Sequence, residues 1–365
     1  MSPGAWLDAH FLRRTSSSNE QVDALDGLRG IAVALVVASH LSNLGLHPLP
    51  GADFQGTGKY GVYLFFVLSA FLLTRPLVAP GAAFGGAAAW RRYAARRALR
   101  IFPLYWVVLA VNWGFTEVWP TQAFPSLTSE QWVRHMLLRE GKGVYWTIPV
   151  ELAFYLAIPV YALLVRALGG RLVPVTLATA AIVAASSALF PPGDTPNNSV
   201  WIGWYLPVFA AGSYAAFLDH RIPRARTLAG DAVAAAGLAA VVAAFPSVAR
   251  AATGADVDKT FLHTAYLPFG IAWSAVVLGA LRARGPLARA LESRALRLAG
   301  VVSFSVYLWH VPVLRALAML RIPQPQATAW LVVGASLALA LGSYAAIERP
   351  FLRGPLARRL GRGRS

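Results

Sequence analysis

The stretch Asp26-Gly27-Leu28-Arg29-Gly30 runs directly into Ile31-Ala32-Val33-Ala34-Leu35-Val36-Val37-Ala38-Ser39-His40. A charged cluster therefore opens an apolar run that is long enough to form a helix, and one histidine lies inside that run. Arg29 and His40 share one face of such a helix and are separated by about 16 Å along its axis. The hydrocarbon core of a bilayer is about 30 Å thick, so His40 lies near its middle if Arg29 marks one edge. Because an ionisable side chain at that depth is costly, His40 is a candidate site residue.

The composition is typical of a membrane protein. Of 365 residues, 57% are hydrophobic and 13% are charged, whereas a soluble domain carries about 25% charged residues. The chain has no cysteine, which excludes disulfides, thiolate nucleophiles and thiolate metal sites. It also lacks the paired-histidine spacing of a metal site, so no metal is predicted. Ten segments are long enough to cross a bilayer: 28–48, 60–79, 101–118, 147–166, 172–190, 200–218, 228–246, 260–281, 299–320 and 328–347.

The distribution of basic residues predicts the topology. With the N-terminus inside, the inner segments hold 25 of the 33 Lys and Arg residues, as the positive-inside rule requires. The net charge of +17 is therefore assigned to cytoplasmic loops and not to nucleic-acid binding. The predicted fold is all-α, with ten transmembrane helices and both termini cytoplasmic. It comprises a polar tail at 1–24, a transmembrane domain at 25–352 and a basic tail at 353–365, with a short interfacial helix at 126–138.

Polar residues in and beside the second span are the next candidates. Ser69 lies inside that span, where it either lines a cavity or bonds to its own helix backbone. The inner loop that follows is rich in arginine, and Arg97 and Arg100 share a helix face. Guanidinium groups at a membrane edge suit a phosphate-rich ligand. Charge alone favours the alternative, in which they anchor the topology or bind anionic lipid headgroups.

The fourth and ninth spans carry further ionisable residues. Glu151 is the only acid in the fourth span, and Tyr155 follows on the same helix face; the glutamate forms either a structural ion pair or part of a site. In the ninth span, Tyr307 and His310 lie on one face with Ser303. His310 is either a second site residue or a packed histidine that bonds to a neighbouring helix. At the end of the tenth span, Glu348-Arg349 is predicted to form an anchoring ion pair.

Taken together, these segments resemble the acyltransferase-3 family of membrane-integral, acyl-CoA-dependent O-acyltransferases. The resemblance extends from about residue 22 to 352 and rests on five motifs in the family order. These are Leu25-Asp26-Gly27-Leu28-Arg29-Gly30 with His40, Phe66-Val67-Leu68-Ser69-Ala70-Phe71-Leu72, Arg97-x-x-Arg100-Ile101-x-Pro103-x-Tyr105, Trp146 with Glu151-x-x-Phe154-Tyr155, and Ser303-x-x-x-Tyr307-x-x-His310-x-Pro312.

The resemblance implies transfer of an acyl group, often acetyl, from cytoplasmic acyl-CoA to a hydroxyl group. The acceptor would be a sugar, a cell-envelope glycan or a secreted metabolite, and the protein would lie in the bacterial cytoplasmic membrane among its lipids. No permanently bound cofactor is expected, since acyl-CoA is a substrate. Arg29, Arg97 and Arg100 would hold the phosphates of CoA. The remaining candidates, near the acceptor or supporting the site, are Asp26, Ser69, Tyr155, Tyr307 and His310.

We expect His40 to act as the general base, because a neutral imidazole can take a hydroxyl proton near neutral pH. In a variant of this hypothesis, His40 is acylated first and then relieved by the acceptor. Glu151 would orient either His40 or the acceptor. A transporter or flippase of an acyl donor or glycolipid is the alternative, since it too would explain many spans with ionisable residues at mid-depth.

Overall fold

A computed structural model describes residues 11–12, 21–82, 85–120, 126–254, 263–320 and 322–353. Over these residues the protein is helical and contains no β-strand; the one bridge of β type pairs Thr227 with Ala283. The prediction of an all-α fold is therefore confirmed for the described part of the chain. The predicted tails at 1–24 and 353–365 lie almost entirely outside the described residues.

The helices follow one another with short connections. They are α1 Gln21–Ser42, α2 Gly58–Thr74, α3 Ala87–Val118, α4 Ser129–Met136, α5 Thr147–Ala167, α6 Leu172–Leu189, α7 Ile202–Asp219, α8 Leu228–Ala243, α9 Pro246–Thr253, α10 Tyr266–Ala280, α11 Pro286–Leu291, α12 Arg294–Val301, α13 Ser303–Ala318 and α14 Pro325–Ser343. A π-helical turn at Tyr344–Glu348 then joins α14 to α15 Arg349–Arg353.

Several of these helices are long and apolar enough to span a membrane. Five qualify by themselves: most of α1, all of α3, α5 and α6, and the continuous stretch Pro325–Leu352. The count rises to seven if the bent pairs α8–α9 and α12–α13 are each one span, while α2 and α10 are apolar but shorter. Each of the ten predicted segments falls on a helix, and a multi-pass membrane protein is confirmed. Ten spans and the placement of both termini inside stay predictions.

Two of the predicted helix boundaries are wrong. The arginine-rich stretch predicted as an inner loop is the first half of α3, a helix of 32 residues, so the third span is its second half. The short helix predicted at 126–138 is shorter in the structure, where α4 runs over Ser129–Met136. It begins later than predicted because Thr128 is its N-cap residue. Its hydroxyl accepts a hydrogen bond from the backbone N–H of Gln131, whose side chain accepts one from the N–H of Thr128 in return. This capping box fixes where the helix starts.

The helices group into two compact units. The first comprises Met1–Pro80, Ala157–Thr195 and Gly203–Ser303, and the second comprises Gly81–Leu156, Pro196–Ile202 and Phe304–Ser365. The first unit therefore contains α1, α2, the second half of α5, α6 and α8–α12, with nearly all of α7. The second contains α3, α4, the first half of α5, α14, α15 and nearly all of α13.

Close backbone contacts organise the first unit, and glycine makes them possible. A Cβ atom at Gly27 would lie 2.0 Å from the carbonyl oxygen of Leu291, and one at Gly30 would lie 2.3 Å from that of Leu296. In the opposite direction, a Cβ at Gly300 would lie 1.7 Å from the carbonyl oxygen of Asp26. No side chain fits in these places, so the glycines of the opening motif let α1 lie directly against α11 and α12.

A buried ionic cluster ties together the ends of α2, α7 and α10 in the same unit. Asp219 is 2% exposed, and both of its carboxylate oxygens are paired. Arg75 Nε lies 2.7 Å from Oδ2 and Arg282 Nη2 lies 2.9 Å from Oδ1. Arg282 also donates to the carbonyl oxygens of Pro223, Ile222 and Leu278. The cluster thus satisfies buried charge as well as the open ends of helices.

Candidate active site

Four of the predicted site residues belong to the first unit. Asp26 and Arg29 lie in the early turns of α1, where Arg29 Nη1 is 3.5 Å from Asp26 Oδ1. About three turns after Arg29, His40 is half-buried on the same helix. Ser69 is also half-buried, on α2, and α2 packs along α1 through Gly61. The guanidinium of Arg29 thus has an acidic partner on its own helix.

The hydrogen bond of His40 selects one form of its ring. Nδ1 lies 2.9 Å from the carbonyl oxygen of Val36, one turn earlier. A carbonyl oxygen only accepts, so Nδ1 carries the proton and donates it. In the neutral imidazole the lone pair is therefore on Nε2. The backbone of α1 thus presents His40 in the form that a general base requires.

The other six candidates belong to the second unit, and α5 organises them. Thr147, Glu151 and Tyr155 follow one another at intervals of four residues, so they line one face of the helix. The Tyr155 hydroxyl donates to Glu151 Oε1. Tyr155 is 6% exposed, whereas Glu151 is half-buried. The glutamate is thus held from the buried side by a phenol.

Tyr307 of α13 is fixed to the start of the same helix. Its hydroxyl donates to the carbonyl oxygen of Val144 over 2.7 Å and accepts from the Thr147 hydroxyl over 3.1 Å. His310 is 1% exposed, and its Nδ1 lies 2.7 Å from the carbonyl oxygen of Tyr307. That bond holds the His310 ring against its own helix.

Arg97 and Arg100 of α3 contact this cluster from the other side. Arg97 Cζ lies 5.9 Å from the centroid of the Tyr155 ring, which is within the range of a cation–π contact. Its Nε is buried and has no hydrogen-bond partner among the described residues. Arg100 Nη1 lies 4.0 Å from Glu348 Oε2. Arginine donors that are buried but incompletely satisfied are the feature expected of a site for an anionic ligand.

Glu348 is a component that the sequence did not reveal. It was expected to pair with Arg349, but it is 2% exposed and faces Arg100, while Ser305 donates to its other oxygen. It ends the π-helical turn, and a turn of this kind rotates the following residues relative to a regular helix. The sequence shows an acid at the end of an apolar helix. It does not show the π-helical turn that points this acid inward.

Tyr93 is a second addition to the cluster. It precedes Arg97 by one helical turn, and its hydroxyl donates to the carbonyl oxygen of Tyr155 over 3.3 Å. This bond ties α3 to α5 beside the predicted site. In the second unit the structure therefore brings together Arg97, Tyr155 and Glu151. Arg100, on the same helix as Arg97, has a longer contact with Glu348.

Comparison with known proteins gives an independent indication of what this chain is similar to. The family model described as an acyltransferase domain matches residues 22–348. BcsY of Komagataeibacter xylinus, named as a membrane-bound transacylase, is 27% identical over 345 residues, which cover 85% of this chain and 77% of that protein. The peptidoglycan O-acetyltransferase OatA of Listeria monocytogenes is 23% identical over 93% of this chain and 57% of that protein. No solved structure matches the chain.

Proposed function

The chain belongs to the acyltransferase-domain family, and we propose that it transfers an acyl group, in the first instance acetyl, from cytoplasmic acyl-CoA to a hydroxyl group. The proposed acceptor is a sugar, a cell-envelope glycan or a secreted metabolite, and the proposed location is the bacterial cytoplasmic membrane. Family membership makes the chain an acyltransferase, and its helices make it a multi-pass membrane protein. The names of the two relatives, a transacylase and a peptidoglycan O-acetyltransferase, support acetyl transfer to an envelope glycan.

The donor assignment rests on the buried Nε of Arg97, which has no hydrogen-bond partner among the described residues. A buried guanidinium nitrogen without a hydrogen-bond partner costs free energy, on the order of 1–3 kcal/mol. A bound phosphate would remove that cost by accepting the bond, and Arg100, one turn further along α3, could donate to a second phosphate. In this proposal Arg29 contributes a third guanidinium. A CoA donor supplies the several phosphates that such a set of arginines would bind.

The proposed chemistry uses His40 as the general base. Nε2 takes the proton of the acceptor hydroxyl while the hydroxyl oxygen attacks the thioester carbonyl carbon. The carbon–sulfur bond then breaks, and the CoA thiolate leaves with the proton that His40 received. The acyl group ends as an ester on the acceptor. No oxidant, reductant or metal is needed for this balance.

The face of α5 is proposed to receive the acceptor. Glu151 is an acceptor of hydrogen bonds, and Tyr155 already occupies one of its oxygens. A carboxylate offers about four lone-pair sites, so Glu151 could also accept a hydrogen bond from a sugar hydroxyl. Tyr307 and His310 would support that face of α5. Asp26 and Ser69 would support α1 in the same way.

The first test replaces His40 with alanine in the purified full-length protein and follows CoA release from radiolabelled acetyl-CoA with cell-envelope glycans. Loss of the base should lower the rate by about 10²–10⁴-fold. His47→Ala is the matched control, because His47 lies past the end of α1. Turnover by His40→Ala at the wild-type rate would refute the assignment of the base.

The second test concerns the donor site. Arg97→Ala and Arg100→Ala should each raise the apparent KM for acetyl-CoA roughly 10- to 100-fold, since a charge-assisted hydrogen bond is worth roughly 1.5–3 kcal/mol. Arg96→Ala is the control, because Arg96 is exposed on the same helix immediately before Arg97. A change in the KM for the acceptor alone would show that these arginines do not bind the donor.

A further inference from the structure

A cavity of about 740 Å³ lies within the first unit, between α6, α7 and α10. This volume is in the range of sites that bind small molecules. Alanines create much of the space: Ala180 and Ala184 on α6, Ala211 and Ala215 on α7, and Ala275 on α10. None of the residues proposed above for acyl transfer lines this cavity, so the transfer reaction leaves it without a role.

The cavity is elongated and reaches the surface that faces the bilayer. Along α10 its lining runs from Leu267 to Leu278, a rise of about 16 Å. That is roughly half the thickness of the hydrocarbon core, which is the depth of one leaflet. Only 17% of the most apolar part of α6 is buried within the protein, so this wall lies beside lipid. A ligand can therefore enter sideways from the membrane.

One polar group in the cavity lacks a partner. The Thr176 hydroxyl donates to the carbonyl oxygen of Leu172, and Tyr214 bonds to Thr176 over 2.6 Å, so these two polar groups are satisfied. Ser274 is 8% exposed, lines the cavity, and its Oγ makes no hydrogen bond within the described part of the chain. A buried hydroxyl in an apolar wall is costly without a partner. Ser274 can donate to a ligand carbonyl.

One end of the cavity is positively charged. Leu218 and Leu278 lie at that end, where Arg171 precedes α6 and Arg221 follows α7. Both arginines are exposed, and Arg221 donates to the carbonyl oxygens of Gly170 and Phe217. The nearby acid, Asp219, is already paired with Arg75 and Arg282. The charge of the two exposed arginines is therefore available to an anionic group at the membrane surface.

From these observations we propose that the cavity is a specific binding site for one acyl tail of an anionic glycerophospholipid. The tail fills the space beside the alanines, Ser274 donates to the ester carbonyl, and the headgroup phosphate lies at Arg171 and Arg221. The three parts of the ligand match the three parts of the site in their order along the membrane normal. The site is separate from the residues proposed for acyl transfer, and the lipid is bound without being consumed.

The test is native mass spectrometry of the delipidated full-length protein in detergent, titrated with phosphatidylglycerol or with phosphatidylcholine of the same acyl chains. We expect one phosphatidylglycerol to bind roughly 10- to 30-fold more tightly than phosphatidylcholine, since each basic residue near the surface contributes about fivefold. Ala184→Trp should fill the cavity and abolish that binding. Ala185→Trp is the control, because Ala185 is exposed and adjacent but does not line the cavity.

Two milder variants keep the test independent of folding. Ser274→Ala should weaken phosphatidylglycerol binding by about 3- to 10-fold through loss of one hydrogen bond. Arg171→Gln should weaken phosphatidylglycerol binding more than phosphatidylcholine binding, because only the first headgroup carries a net negative charge. Equal binding of the two lipids by the wild type, or full binding by both Ala184→Trp and Ser274→Ala, would overturn the proposal.

Discussion

Asp219 and Glu348 are both buried acids at helix ends, one in each unit, and they are satisfied to very different degrees. Both oxygens of Asp219 are paired with arginines at 2.7 and 2.9 Å. Glu348 bonds to Ser305 through one oxygen, while the other has no hydrogen-bond partner in the described residues and lies 4.0 Å from Arg100. The contrast shows two uses of a buried acid. Asp219 pairs fully with arginines and stabilises packed helix ends, whereas Glu348 makes only a weak contact with an arginine beside the candidate site.

This difference follows from what each arginine must do. Arg282 donates to the Asp219 carboxylate and to four backbone carbonyl oxygens, so most of its donors are used within the protein. Among the described residues, the contact of Arg100 with an acid is the distant one to Glu348, so its donors can serve an anion. We therefore interpret the Asp219 cluster as structural and the Arg100–Glu348 pair as part of the proposed donor site.

Asp219→Asn tests the structural role of the Asp219 cluster, and we expect it to have the largest effect. Removing this charge takes the counter-ion from the buried guanidinium of Arg282 and the half-buried one of Arg75, and breaking a buried pair in this way costs about 3–5 kcal/mol. We expect a large loss of thermal stability in detergent, measured by the unfolding midpoint. Asp194→Asn is the control, because Asp194 is exposed. An unchanged midpoint for Asp219→Asn would show that the cluster does not hold the helix ends together.

Glu348→Gln is expected to have a smaller effect, on donor binding and not on stability. The amide keeps an oxygen for Ser305 but removes the negative charge beside Arg100, so the midpoint should change little. If Arg100 binds the donor, the apparent KM for acetyl-CoA should fall about three- to tenfold, because phosphate no longer competes with a carboxylate. Arg100→Ala combined with Glu348→Gln should remove this gain. A rise in the KM would mean that Glu348 positions Arg100 and does not compete for it.

The smallest effect concerns His135, a buried polar residue outside the candidate spans. Its Nδ1 donates to the carbonyl oxygen of Gln131, and its Nε2 accepts from the backbone N–H of Lys142. Burial lowers the pKa of His135 below its ordinary value of 6.5. The folded form therefore stays neutral while the unfolded form takes up a proton, so stability falls as the pH decreases below about 6.5.

Hydrogen exchange of residues 129–142 measures this effect. We expect faster exchange at pH 5 than at pH 8 after correction for the intrinsic rate, and His135→Gln should remove most of the pH dependence. If exchange does not depend on pH, the ring is not held in its neutral form. Compared with Asp219, His135 shows that a fully bonded polar group is stable only in one protonation state.

Much of the fold follows from the sequence, because apolar length is a strong signal in a membrane protein. All ten predicted segments fall on helices. The arginine-rich part of α3 was assigned to a loop because its charge excluded it from the hydrocarbon core. Charge, however, does not prevent a helix from extending beyond the membrane, and the alanines among these arginines favour one. Hydropathy therefore locates the membrane and not the end of the helix.

The site was predictable in its residue types and less so in its contacts. The spacing of Glu151 and Tyr155 predicts that they meet, and they do. Glu348 was assigned to Arg349, its neighbour in sequence, since nothing in the sequence reveals a π-helical turn or a contact with a residue as distant as Arg100. Likewise, Gly27 and Gly30 stand beside the charged residues of the first motif, but their role is to permit contacts that only the folded chain contains.

Those glycine contacts also have a consequence for how the protein is made. The partners of Gly27 and Gly30 lie about 270 residues further along the chain. Since ribosomes add about 5–20 residues per second, roughly 15 to 50 s pass between the synthesis of α1 and that of α12. During that interval the first helix enters the membrane with its glycine face uncovered, and the first unit closes only when nearly the whole chain has been translated.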